Sequence, residues 1–72
     1  MSMMRSEEPK TPYLQFIRDA GDLPSEKPNI ECNSGIQMFY ERVAEDAEES
    51  GCWHYVVFYE GDGRYLAWRN ER

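Results

Sequence analysis

The residues "CWHYVVFYEGDGRYLAWRN", Cys52 to Asn70, constrain the fold of this chain more than any other stretch. Aromatic and β-branched side chains run to Glu60, "GDG" turns the chain, and a second aromatic run follows, which predicts an antiparallel β-hairpin. Register then decides which side chains share a face. A three-residue loop at Gly61, Asp62 and Gly63 sets Glu60 opposite Arg64. It also pairs Tyr59 with Tyr65, Phe58 with Leu66, Val57 with Ala67, Val56 with Trp68 and Tyr55 with Arg69. A two-residue turn at Asp62 and Gly63 slips the pairing by one and mixes the faces. The three-residue loop is preferred because it pairs opposite charges and sorts side chains more cleanly.

In that register Val56, Phe58, Leu66 and Trp68 make one face with the character of a core wall, with His54 and Cys52 at its far end. This face is expected to receive a helix. The other face carries Trp53, Tyr55, Tyr59, Tyr65 and Arg69 around the smaller Val57 and Ala67. A two-stranded ribbon that is apolar on both sides does not leave both in water, so something covers the second face. Trp, Tyr and Arg dominate binding hot spots because they bury large areas with few rotors and keep a polar tip, which makes this face a candidate partner surface. Internal cover by another part of the chain is the plainer alternative.

The helix that supplies the core is "SGIQMFYERVAEDAEESG". Ser34 with Gln37 three residues later matches a capping box, and Gly51 supplies a left-handed stop. Ile36, Phe39, Tyr40, Val43 and Ala47 form its expected buried stripe. Its last two turns crowd Glu45, Asp46, Glu48 and Glu49 where the helix dipole disfavours anions by about 0.3–1 kcal/mol each at low salt. Stability alone does not select that arrangement. A solvated face that keeps a small protein soluble is the plain reading, and an acidic patch for a basic partner is the functional one.

Upstream, "TPYLQFIRDAG" places Tyr13, Phe16, Ile17 and Ala20 at the spacing of one helical face, with Thr11 as N-cap, Pro12 at the first helical position and Gly21 as the stop. A short helix over roughly residues 12–20 is the expectation. "DLPSEKPNIECN" has two prolines and no period, which marks a surface connection from Asp22 to Asn33. Ile30 either pins it to the core or opens, with Cys32, a brief edge strand. Residues 1–10 lack periodicity and read as a disordered tail. The fold class is therefore α+β, with a short N-terminal helix, a long loop, and a longer acidic helix packed on a C-terminal antiparallel hairpin. Residues 11–72 make one small domain.

Charge and cysteine usage narrow the function. The net charge is −6, of which residues 34–51 supply −4, with Arg42 set against Glu41, Glu45, Asp46, Glu48 and Glu49. Nucleic-acid binders need a basic footprint, so direct nucleic-acid binding is not expected, whereas a cationic protein partner is favoured. No segment approaches a membrane span or a secretory signal. Cys32 and Cys52 flank the main helix, whose ~16 residues separate its ends by about 24 Å, well beyond the ~7 Å that a disulfide spans. Two free thiols fit a reducing, cytoplasmic setting. Two cysteines and one histidine leave too few ligands for a structural zinc site, and the acidic spacing matches no calcium loop; no metal or cofactor is expected.

Cys52 and His54 share one side of a strand, the only hint of catalysis, and lack a third orienting group. The leading expectation is a non-enzymatic protein-binding module of inhibitor or adaptor type, in keeping with an accessory protein of a virus or mobile element. Its partner-binding residues are Glu45, Asp46, Glu48, Glu49, Trp53, Tyr55, Tyr59, Tyr65 and Arg69. A homodimer burying the aromatic hairpin face is the alternative, and a thiol enzyme using Cys52 and His54 is a distant third.

Overall fold

The two aromatic runs pair as an antiparallel hairpin. In the computed structural model, which describes residues 11–71, they form β3 (His54–Gly61) and β4 (Arg64–Arg69). The pairs Tyr55–Arg69, Val56–Trp68, Val57–Ala67, Phe58–Leu66 and Tyr59–Tyr65 match the expected register. The turn is made differently. Asp62 and Gly63 both have positive φ, 56° and 76°, which is the signature of a two-residue type I′ turn. A bulge between Tyr59 and Gly61 takes up the extra residue, so Gly61, and not Glu60, stands opposite Arg64. The Glu60 and Arg64 side chains still meet at 2.6 Å.

Two further strands extend the hairpin into one sheet. β1 (Tyr13–Ile17) runs parallel to β3, and β2 (Ile30–Cys32) runs antiparallel to β4, giving the order β1-β3-β4-β2. The chain is α+β, with α1 (Ile36–Ser50) packed against this sheet. Residues 13–17 are thus a strand, which corrects the N-terminal helix expected over roughly 12–20. Tyr, Phe and Ile fit a pleated surface, and a five-residue run is too short for its period to decide between helix and strand. Pro12 suits the entry to an edge strand as well as the first turn of a helix. The disordered tail expected over residues 1–10 lies outside the described residues.

The helix lies on the face opposite to the one expected. Phe39, Val43 and Ala47 of α1 are fully buried and pack with Ile30, Cys32, Tyr55, Val57 and Ala67. Val57 and Ala67 sit side by side, and their small side chains leave a shallow floor that the helix stripe fills. The face carrying Val56, Phe58, Leu66 and Trp68 is crossed instead by residues 18–29, with Leu66 and Trp68 buried and Val56 and Phe58 half-buried. β1 and β2 lie at opposite edges of the sheet, so their connection must cross it. Trp68 is buried, and its indole Nε1–H donates to the Glu26 carbonyl at 2.8 Å. Asn29 fixes the far end, donating its N–H to the Ala67 carbonyl and accepting from the Arg69 N–H through Oδ1, each at 2.8 Å.

The helix ends follow glycine. Gly51, at φ 77°, is the expected left-handed stop and donates to the Ala47 carbonyl. At the start, Gly35 and not Ser34 is the N-cap, and no side chain caps the first turn. Gly35 has φ 97° and ψ 173°, a conformation open essentially to glycine alone. Its N–H donates to the Gly63 carbonyl at 3.2 Å, so the hairpin turn docks on the helix start. Ile36 and Tyr40, expected in the buried stripe, are 50% and 38% exposed. The helix rests mainly on β2 and β4.

Candidate protein-binding surface

The acidic residues near the end of α1 separate into two roles. Asp46 lies three residues after Val43 and seven after Phe39, which puts it at the edge of the buried stripe. Its Oδ2 accepts from the Tyr55 hydroxyl at 2.6 Å and from Arg69 Nε at 2.8 Å, while Oδ1 accepts from Arg69 Nη2 at 2.7 Å. This bidentate pair ties α1 to β3 and β4. Hydrogen bonds from Arg69 hold the Asp46 carboxyl below its ordinary 3.8; burial opposes this, and the Tyr55 hydroxyl and the Arg69 charge reinforce it. The Tyr55 hydroxyl is pushed up to about 12, by burial first and then by its bond to Asp46. Arg69 is held more firmly protonated, chiefly by its hydrogen bonds to Asp46.

Glu45, Glu48 and Glu49, with Glu41 one turn earlier, remain exposed on the solvent side of the helix. Glu41, Glu45, Glu48 and Glu49 surround Ala44 in a shallow depression. Ion pairs among the described residues join Arg64 to Glu31 and Glu60, and Arg69 to Asp46; none reaches these four glutamates. The last turn of the helix carries no basic residue. The strip is a concentrated negative field in which Arg42, beside Glu45 and Glu49, is the one basic residue on α1 and makes no ion pair with it.

The aromatic face of the hairpin lies mostly within the protein. Tyr55 is fully buried, and Trp53 is half-buried against the core. Tyr65 stacks on Phe39 with ring centroids 4.8 Å apart. Tyr59 tilts against Tyr65 at 4.6 Å, accepts from the Gly63 N–H, and is 48% exposed. Arg69 is half-buried in its pair with Asp46. The structure therefore gathers Asp46, Tyr55 and Arg69 into one internal cluster, leaves Glu45, Glu48 and Glu49 together outside, and sets Tyr59 apart near the turn. The face assigned to a hairpin-mediated dimer is occupied by α1. The offset of Asp46 from Val43 and Phe39 is the sequence signal that distinguishes it from its neighbours.

Sequence reasoning missed the exposed apolar residues of β1 and the start of α1. Tyr13 and Phe16 are 60% and 52% exposed, and Met38 is 45% exposed. The Cys52 thiol donates to the His54 backbone carbonyl at 3.3 Å, while the His54 ring lies against Tyr13 with centroids 5.6 Å apart. Both cysteines are free thiols. Among the described residues no cluster of His, Cys, Asp and Glu is placed to hold a metal ion, and no helix is long and apolar enough to cross a membrane. No protein-family model matches the sequence, and searches of curated proteins and of solved structures also give no match.

Proposed function

We propose that the protein is a non-enzymatic binding module of inhibitor or adaptor type. Its exposed acidic strip, Glu41, Glu45, Glu48 and Glu49, recognises a basic protein surface. The observation that carries this reading is that four exposed glutamates make no ion pair among the described residues, toward a helix end whose dipole already disfavours negative charge. Charge held against its own helix gains a counterpart when a cationic surface docks. The field steers encounter, and Tyr59 adds short-range contact at the hairpin end. Two free thiols suit a reducing, cytoplasmic setting.

Asp46 and Arg69 belong to the scaffold that holds the strip in place and are left out of the recognition set. The test is affinity capture from the native host with the wild-type chain and with a variant in which Glu41, Glu45, Glu48 and Glu49 are all changed to Gln. A captured protein with a basic surface is expected to disappear with the variant and at high salt. The variant itself is expected to melt a few degrees higher at low salt, because the dipole and mutual-repulsion penalties are gone. An unchanged set of captured proteins in the variant sinks the proposal.

A further inference from the structure

The two edges of the sheet are built differently. β2 is three residues long, follows Pro28, and places Glu31 near Arg64, all devices that blunt an edge. β1 is five residues long, carries no charge or proline within Tyr13–Ile17, and has no neighbour on its outer side among the described residues. The Tyr13 N–H donates to the Trp53 carbonyl at 2.7 Å, so the backbone groups of Tyr13, and by alternation of Gln15 and Ile17, point toward β3. Those of Leu14 and Phe16 point outward.

We propose that the outer edge of β1 pairs antiparallel with β1 of a second copy of this chain, about a twofold axis at Gln15. In this register Leu14 of one copy stands opposite Phe16 of the other, so each outward N–H meets an outward carbonyl. One pair further out, the Arg18 N–H meets the carbonyl of Pro12, the residue with no donor to strand. On the helix side Leu14 packs beside Phe16 of the other copy; on the opposite side Tyr13 packs beside Ile17 of the other copy. Tyr13 and Phe16, the two most exposed large apolar residues described, are thereby covered.

A second copy fits this edge because "YLQFI" reads apolar, polar, apolar from either end, which is what a twofold pairing requires. Its charge fits as well. The acidic strip rides on α1, which rests mainly on β2 and β4, the half of the sheet away from β1. Two negative chains can therefore approach through their uncharged edges. A domain of 72 residues without a disulfide between its cysteines gains from the added burial.

Two measurements test the pairing. In amide exchange, Tyr13, Gln15 and Ile17 are expected to be protected at every protein concentration, and Leu14 and Phe16 only as concentration rises. Protection of Leu14 and Phe16 that ignores concentration overturns the proposal and assigns the edge to residues 1–10 of the same chain. In sedimentation equilibrium, the wild type is expected to show a monomer–dimer equilibrium. Gln15→Lys and Gln15→Glu, at an exposed position, are each expected to lower the association constant at least tenfold, and their equimolar mixture to restore it. A wild type that stays monomeric to millimolar concentration, or a dimer that is indifferent to both changes, overturns it.

Discussion

Asp46 shows how much one side chain can decide. It accepts three hydrogen bonds from two strands with 17% of its side chain exposed, so Asp46→Asn removes an ion pair and turns one acceptor into a misplaced donor. The expected cost is about 1–3 kcal/mol at neutral pH, measured by urea denaturation. The pH dependence follows from the same contacts. Because the folded carboxyl titrates below 3.8, its contribution is fully present above that value and is lost as pH falls through the folded value. Tyr55 acts at the other end: its folded value of about 12 exceeds 10.0, so its contribution is present below pH 10 and drains between pH 10 and 12. Asp46→Asn is expected to flatten the acid limb of the stability profile, and Tyr55→Phe the alkaline limb. Acid limbs of equal slope in Asp46→Asn and wild type would remove Asp46 from this role.

At the scale of elements, the parts that read correctly from sequence are those whose signals are local. α1 shows a helical period in Phe39, Val43 and Ala47 and ends on Gly51 as expected, and the hairpin pairs its aromatics as expected, although a two-residue turn with a bulge, and not a three-residue loop, sets that register. What failed depends on tertiary context. β1 is a strand because β3 pairs with it, a partner far along the chain. The helix chose the Val57–Ala67 face because its ridge needed a shallow floor, and burial alone ranks two apolar faces alike. Asp46 then completed that choice by satisfying Tyr55 and Arg69, which looked like ligand-binding tips when the helix was placed on the other side. The start of α1 was also misjudged, since a glycine conformation and not a side chain begins it. Nothing lies within 4 Å of a Cβ built on Gly35, so Gly35→Ala tests backbone strain alone. A loss of about 1–3 kcal/mol is expected in thermal or urea unfolding, with the hairpin turn loosened from the helix start. A neutral result would mean that the segment relaxes to another cap.

For the whole molecule, strand order sets the folding sequence. β3 and β4 meet through a tight turn, whereas β2 reaches β4 only across α1 and all of β3, with Ile30 beside Ala67. β1 closes the longest loop of the three, with Tyr13 beside His54, and its register is useful only once β3 is in place. Closing that loop costs entropy before any reward arrives. β1 is therefore expected to dock after the transition state. Leu14→Ala, which trims a half-buried side chain packed against the core, should speed unfolding several-fold and leave the folding rate nearly unchanged, a φ-value near zero. Leu66→Val in the hairpin should slow folding by comparison. A stopped-flow chevron for each variant decides the order, and a φ-value near one at Leu14 would mean that the edge strand nucleates the sheet. Late docking also connects folding to assembly, because the strand that arrives last is the one whose outer edge is offered to a second copy.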